Sequence, residues 1–161
     1  MSVIDRINQH YGLYVSHIAQ VGDQELVVFF SEARVDKDKT EEMKFNEGTE
    51  HEVALTGLNP IVTDETCQKY RATFKRFLIY QVVEESCIAW DDAEVFDGGL
   101  YRTFAKSRFL DHIDSHLIID WYQEQPDMKY THYQIAGLDF IIDVAAQEPP
   151  LIEEVDQFLV Q

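Results

Sequence analysis

Long apolar segments are missing from this sequence. No stretch approaches the roughly 18 uninterrupted apolar residues of a transmembrane helix, and the opening MSVIDRINQHYG has no basic region ahead of an apolar one. Neither membrane insertion nor export is indicated, so we expect a cytoplasmic protein. With 161 residues, 45% of them hydrophobic, the chain can bury a core, and we expect one domain over residues 1–161.

Cysteine is scarce as well. The two cysteines, Cys67 and Cys87, have neither the spacing of a metal site nor the density of a disulfide scaffold, so we expect buried, reduced thiols. His112 and His116 have the spacing of one helix face, but HIDSH lacks the glutamate that follows the first histidine in zinc proteases. No distant ligands complete a four-ligand set, and we expect no metal.

Motifs for nucleophilic catalysis and phosphate binding are also absent. Ser86 precedes Cys87 outside any Gly-x-Ser-x-Gly elbow, and the seven glycines are scattered singly apart from Gly98-Gly99. We expect no cofactor, and a protein without catalytic residues is favoured over an enzyme.

Basic residues are few, above all in the second half of the chain. There are 30 acids against 13 bases, a net charge of −17, and no Lys or Arg occurs between Arg76 and Arg102 or after Lys129. Such a surface repels phosphate backbones and anionic lipids, so neither nucleic acid nor a membrane is an expected partner. A basic protein partner is favoured, although the charge alone is also explained by solubility.

The N-terminal third is predicted to begin with a helix and to continue as strands. Ser2 and Asp5 have the spacing of a capping box, ahead of a short helix over about residues 3–10. Residues 32–48 have mixed charges and little apolar content, which predicts a solvated loop. A hairpin and a further half-buried strand are predicted from β-rich, alternating runs at residues 13–20, 25–31 and 51–56.

The stretch YRATFKRFLIYQVVEES has the strongest β signal in the chain. Its even positions are apolar apart from Arg76, whereas its odd positions become apolar only from Phe77 onwards. The switch predicts a long strand, bent near Lys75 and Arg76, that passes from a solvated edge into the middle of a sheet.

Two helices are predicted in the C-terminal half. Ser107 caps a helix over residues 107–117, and Pro149 and Pro150 suit the first turn of a final helix with an apolar stripe. LYRTFAKS is predicted to be a strand, and residues 117–122 fit either a helix or a strand. The sum is an α+β fold, with a mostly antiparallel sheet of about six to eight strands, a short N-terminal helix and these two helices.

The stretch YTHYQIAGLDFIIDV places two carboxylates, Asp139 and Asp143, in an apolar, β-prone run. Strand alternation puts both on one face. If a hairpin turns at Gly137, Gln134 opposes Asp139 and Asp143 lies opposite Tyr130. This geometry brings His132 close to both carboxylates.

Two interpretations of this face remain open. The carboxylates either mark the wet side of a strand or form a small-molecule pocket, catalytic or binding, with His132, Asp139, Asp143 and an inward Glu84. An inward Glu84 would have a raised pKa and suit general acid–base work.

The acidic loop EESCIAWDDAEVFDGG contains no base and carries interleaved aromatic residues. Carboxylates around exposed aromatics are typical of a protein-binding surface for a basic partner. The alternative is a solvated turn whose aromatic residues point into the core. The candidate partner-binding residues are Trp90, Asp91, Asp92, Glu94, Phe96 and Asp97.

Three stretches carry a resemblance to known proteins. YRATFKRFLIYQVVEES, FDGGLYRTFAKSRFLDHI and HYQIAGLDFIIDV follow one another in an order that resembles a pattern in small uncharacterised bacterial proteins, over roughly residues 68–150. Compact acidic proteins of this kind are similar in build to immunity proteins, which neutralise basic toxin domains. The resemblance implies an acidic, inhibitor-like protein-binding module and leaves the N-terminal third unassigned.

Overall fold

The computed structural model describes residues 1–89, 91–116 and 129–158. In these ranges the chain forms 12 β-strands and 2 α-helices. In chain order they are α1 (Val3–Ile7), β1 (Gly12–Val21), β2 (Glu25–Val35), β3 (Glu41–Phe45), β4 (Val53–Leu58), β5 (Ile61–Val62), β6 (Lys69–Lys75), β7 (Phe77–Glu84), β8 (Val95–Gly98), β9 (Tyr101–Lys106), α2 (Arg108–His116), β10 (Thr131–Ala136), β11 (Phe140–Ala146) and β12 (Leu151–Glu154).

Two five-stranded antiparallel sheets share one core. The first has the order β1-β2-β6-β12, with β5 paired to the end of β2, and the second has the order β7-β11-β10-β9-β8. Phe74 of the first sheet and Tyr133 of the second lie with ring centroids 6.1 Å apart. Their buried neighbours, Phe30 on β2 and Ile142 on β11, belong to the same cluster. Alternate residues of each strand therefore point into the space between the sheets.

The helix α1 closes one end of this core. The predicted capping box is confirmed, because Asp5 N–H donates to Ser2 Oγ at 3.1 Å and Ser2 N–H donates to the Asp5 carboxylate at 2.8 Å. Ile7 is fully buried in the core. Asn8 Oδ1 accepts the backbone N–H of Tyr101 at 2.8 Å, which ties the end of α1 to the second sheet.

The predicted bend in the long strand lies at Arg76. This residue has φ +51°, and it separates β6 from β7. The predicted direction is wrong, because β6 lies between β2 and β12 whereas β7 is an edge of the second sheet. The two apolar faces of β7 have another cause: Phe77 packs into the shared core, and Ile79 packs beneath α2 on the outer side.

The predicted α+β class is wrong, since the structure, as far as it is described, is mostly β and only 11% helical. The predicted C-terminal helix is the strand β12, in which Ile152 pairs with Ala72 and packs against the core. Pro149 and Pro150 lie between β11 and β12. The same apolar residues suit a helix or a strand, and pairing with β6 decided the outcome. No helix in the described ranges is long and apolar enough to cross a membrane.

The first hairpin is confirmed and the region after it is more regular than predicted. β1 and β2 pair around Gly22, which has φ +60°. β2 continues to Val35 and β3 occupies part of the predicted loop. β3 pairs with β4, and nearly all residues of both strands are exposed, so the half-buried strand predicted at residues 51–56 is wrong in its burial.

Candidate functional site

A polar row crosses the outer face of the second sheet. Strand alternation directs Ile142 and Val144 into the core and leaves Asp143 on the opposite face. Gln134 on β10 lies opposite Asp143, and Arg102 on β9 lies opposite Gln134. The row therefore crosses neighbouring strands at one level of the sheet.

Asp143 is the centre of this row and is 4% exposed. Its Oδ1 lies 2.8 Å from His132 Nε2 and accepts Gln134 Nε2–H at 2.7 Å. Its Oδ2 accepts Gln81 Nε2–H at 2.8 Å. Burial by itself raises the pKa of Asp143. The hydrogen bonds from His132, Gln81 and Gln134 and the electrostatic attraction of His132 lower the pKa by more than burial raises it, so the pKa lies below its ordinary value. The carboxylate is thus held in its ionised form.

His132 joins the carboxylate to the start of α2. Its Nδ1 lies 2.8 Å from Ser107 Oγ, which accepts the N–H of Leu110 at 3.1 Å and so caps α2 as predicted. Both ring nitrogens of His132 are therefore engaged, Nδ1 by Ser107 and Nε2 by Asp143, which fixes the orientation of the imidazole. Phe104 stacks on the imidazole with centroids 4.1 Å apart, and Phe109 covers it at 4.9 Å.

Arg102 closes the other end of the row. Its Nη1–H donates to Gln134 Oε1 at 2.9 Å and its Nε–H donates to the carbonyl oxygen of Gly99 at 2.7 Å. The guanidinium carbon lies 4.8 Å from the centroid of Phe96. Burial lowers the pKa of Arg102 and the negative charge of Asp143 opposes that shift. We call Ser107, His132, Asp143, Gln134 and Arg102 the buried relay.

The relay contains a serine, a histidine and an aspartate, but its geometry does not offer them to a substrate. Ser107 is 1% exposed and His132 is 2% exposed. The serine oxygen is engaged as a helix cap, and α2 packs over the relay through Phe109 and Ile113. Two grooves on the described surface lie elsewhere, one beside Phe29 and Arg71 and the other beside the β1–β2 turn. The relay therefore serves to attach α2 to the sheet.

The relay predicts a specific dependence of stability on pH. Because the folded-state pKa of Asp143 lies below the ordinary 3.8, its contribution is present above that value and is lost as the pH falls through the folded pKa. We expect the free energy of unfolding of the wild type to fall more steeply than that of Asp143→Asn as the pH is lowered from 5 through 3.8 and below. Urea titrations at each pH measure this. Asp139→Asn, at an exposed turn, should keep the wild-type profile.

The four residues predicted to share a pocket fall into two groups. His132 and Asp143 lie together in the relay, as the alternation predicted, but the face is buried, so the wet-side interpretation is wrong for Asp143. Glu84 is exposed and accepts hydrogen bonds from Ser86 at 2.8 Å and Cys87 at 3.2 Å, which lower its pKa instead of raising it. Cys87 is exposed as well, so the predicted burial of the cysteines is wrong for this residue and right for Cys67. Asp139 is exposed at the β10–β11 turn and accepts the N–H of Phe140.

The predicted register of this hairpin is also wrong. Gln134 lies opposite Asp143 and Thr131 lies opposite Ala146, because the turn extends beyond Gly137. Leu138 in that turn donates its N–H to the carbonyl oxygen of Leu13 at 2.8 Å, so contact with β1 lengthens the loop. Sequence reasoning missed two relay residues, Arg102 and Gln134, and also Gln81, which donates to Asp143 from β7. Alternation within their strands was a usable signal.

The acidic loop is less uniformly negative than its sequence suggests. Arg108 approaches Asp91 Oδ2 with its Nε at 2.5 Å, and its backbone N–H donates to Glu94 Oε1 at 3.0 Å. The backbone N–H of Ala93 and the Arg108 side chain lower the pKa of Asp91. Phe96 is half-buried and packs against Phe104 with centroids 5.1 Å apart. Asp92 and Asp97 are exposed, and Trp90 lies outside the described residues.

A second group of carboxylates lines one end of the second sheet. β7 ends at Glu84, and the next residue, Glu85, donates its N–H to the carbonyl oxygen of Asp139 at 3.0 Å. Asp97 lies near the end of β8, at the same end of the sheet but on its opposite edge. We call Glu84, Glu85, Asp97 and Asp139 the acidic rim. Within the described ranges, no Lys or Arg forms an ion pair with any of them.

The described residues contain no group of three or more His, Cys, Asp or Glu side chains arranged to hold a metal ion. His112 is exposed on α2, where His116 is the last residue. No protein-family model, curated protein or solved structure matches the chain.

Proposed function

We propose that this protein is a non-enzymatic, acidic, cytoplasmic protein-binding module that engages a basic protein partner. The acidic rim is the observation that carries the proposal. Its four carboxylates have no Lys or Arg ion pair among the described residues, whereas both carboxylates of β12 are paired, Glu153 with Arg71 at 2.6 Å and Glu154 with Arg6 at 3.0 Å. Unpaired charge at one end of a rigid sheet is suited to a cationic partner.

Electrostatics and apolar contacts would have separate roles in such a complex. The net charge of −17 accelerates the encounter with a cationic protein, and added salt weakens this acceleration by screening the charges. Apolar anchors then hold the partner. Exposed apolar side chains lie beside the acidic rim, among them Leu138, Phe140 and Ile88. If the basic partner is a toxin, binding at this surface blocks the toxin's activity, which is the role of an immunity protein.

The proposal predicts that partner capture depends on the acidic rim and not on net charge alone. The test variant neutralises the rim by four substitutions: Glu84→Gln, Glu85→Gln, Asp97→Asn and Asp139→Asn. The control neutralises four exposed carboxylates elsewhere: Asp38→Asn, Glu41→Gln, Glu47→Gln and Glu65→Gln. Both variants have the same net charge. We expect the rim variant to lose about tenfold or more in association rate with a captured cationic protein at low salt, and the control to lose much less.

The measurement is affinity capture from the native host at low and high ionic strength, followed by binding kinetics with each recovered protein. If the two variants lose the same association rate, overall charge alone explains the effect, and this result would contradict a localised binding site. Recovery of no cationic protein above background at low salt would overturn the proposed function itself.

A further inference from the structure

The strand β7 has an open side. It pairs with β11, and no other strand of the described residues lies along its second side. From Phe77 to Val83 it carries no charged residue, and Tyr80 and Val82 are 37% and 46% exposed. Proteins usually protect such edges with charged side chains. The edge strand β12 follows that rule with Glu153 and Glu154, whereas β7 does not.

The register of β7 identifies which of its backbone groups face the open side. Glu85 N–H donates to the carbonyl oxygen of Asp139, which is the residue opposite it in the β7–β11 register. In an antiparallel pair, hydrogen-bonded positions alternate with positions whose backbone groups point away. The backbone N–H and C=O of Tyr80, Val82 and Glu84 therefore point to the open side, available to another strand.

Charge decides which kind of strand fits this edge. At the end of β7, Glu84, Glu85 and Asp139 bring three carboxylates together. A second copy of this chain would bring another −17 charges towards them, which opposes self-association. An extended segment with a run of apolar residues and an adjacent Lys or Arg fits this surface. The apolar residues lie along the uncharged part of β7, and the basic residue lies against the carboxylates at the end of β7.

We propose that β7 is the docking edge for an extended, cationic segment of the partner protein, which adds to the second sheet as a further strand. Backbone hydrogen bonds form with Tyr80 and Val82, and Lys or Arg side chains of the segment contact Glu84, Glu85 and Asp139, the members of the acidic rim that lie at the end of β7. The inference rests on the proposed function and specifies how the basic partner is held. A strand added in this way obtains affinity from main-chain bonds and selectivity from its alternate side chains.

Synthetic peptides test the backbone component directly. The probe is a capped, fluorescent peptide with two lysines ahead of an alternating run, Lys-Lys-Val-Thr-Val-Thr-Val, measured by fluorescence anisotropy. Two further peptides have the same sequence and charge, one N-methylated at the valines and one at the threonines. Since only one set of amides can face β7, we expect one methylated peptide to bind about tenfold more weakly and the other to bind nearly as the parent does.

A pair of substitutions at one position tests the same contact from the protein side. Val82→Pro removes an N–H on the open side without changing charge and without removing a bond to β11, since proline is tolerated on edge strands in that orientation. Val82→Thr keeps the N–H and is the matched control. We expect Val82→Pro to raise the Kd of the parent peptide about tenfold and Val82→Thr to change it little. If Val82→Pro fails to fold, the methylated peptides decide the question on the wild-type protein.

The outcomes separate this inference from the proposed function. Equal binding of the parent and both methylated peptides, with binding lost only in the acidic-rim variant, would leave the proposed function in place and overturn the docking edge. No binding of the parent peptide to the wild type at 100 µM would overturn the edge as well. Sedimentation that shows a wild-type dimer, converted to monomer by Val82→Pro, would assign the edge to a second copy and also overturn the inference.

Discussion

Replacing Asp143 with alanine is expected to lower the free energy of unfolding by roughly 3–5 kcal/mol. The carboxylate accepts hydrogen bonds at 2.7–2.8 Å from Gln134 and Gln81 and faces His132 Nε2 at 2.8 Å. Alanine leaves the buried donors of Gln134 and His132 without an acceptor, whereas the exposed Gln81 can turn to water. Unpaired buried donors are costly. Urea denaturation at pH 7 measures the loss.

The matched control is Asp139→Ala in the same hairpin. Asp139 is exposed, and its side chain accepts one backbone N–H, that of Phe140. We expect a change of about 1 kcal/mol or less. If the two substitutions cost the same, the relay would contribute nothing special to stability, and the attachment of α2 would have to rest on its apolar contacts alone.

Replacing Phe74 with alanine is expected to lower the free energy of unfolding by roughly 3–5 kcal/mol. Phe74 is fully buried between the sheets, and its ring lies 6.1 Å from that of Tyr133. Truncation removes apolar contacts from both sheets at once and leaves a cavity that rigid strands fill poorly. Denaturation monitored by tryptophan fluorescence and by circular dichroism gives the value.

Phe140→Ala is the control for this second substitution. The change of side chain is identical, but Phe140 is 41% exposed at the start of β11, so we expect a loss of about 1–2 kcal/mol. A loss from Phe74→Ala no larger than that from Phe140→Ala would contradict the shared core.

The local sequence pattern correctly predicted the helix caps and the first hairpin, because these features depend on residues that are close together in the chain. The capping box of Ser2 and Asp5 and the cap of α2 by Ser107 are confirmed because a cap requires only residues within one turn. The β1–β2 hairpin is confirmed for the same reason. Period-two alternation also placed His132 and Asp143 on one face of the second sheet.

The predictions that were wrong concern features that depend on contacts between distant parts of the chain. The burial of Asp143 requires α2 to cover the outer face of the sheet, which alternation within β11 cannot indicate. Arg108 meets Asp91 because β8 and β9 pair, so the charge of the acidic loop could not be judged from its own residues. The residues after Pro150 became a strand because β6 offered a partner. In each case tertiary packing overrode the local pattern.

The bend at Arg76 has a counterpart on the returning chain. Gln147 N–H donates to the carbonyl oxygen of Arg76 at 3.4 Å, where β11 gives way to the residues leading into β12. Tyr70 pairs with Glu154 and Glu84 with Phe140, so assembly must close loops of roughly fifty to eighty residues. Such a topology folds slowly, on the millisecond-to-second scale. The chain passes between the sheets at Arg76 and again after β11, and the two sheets bury one common core, so we expect both to unfold in one concerted step.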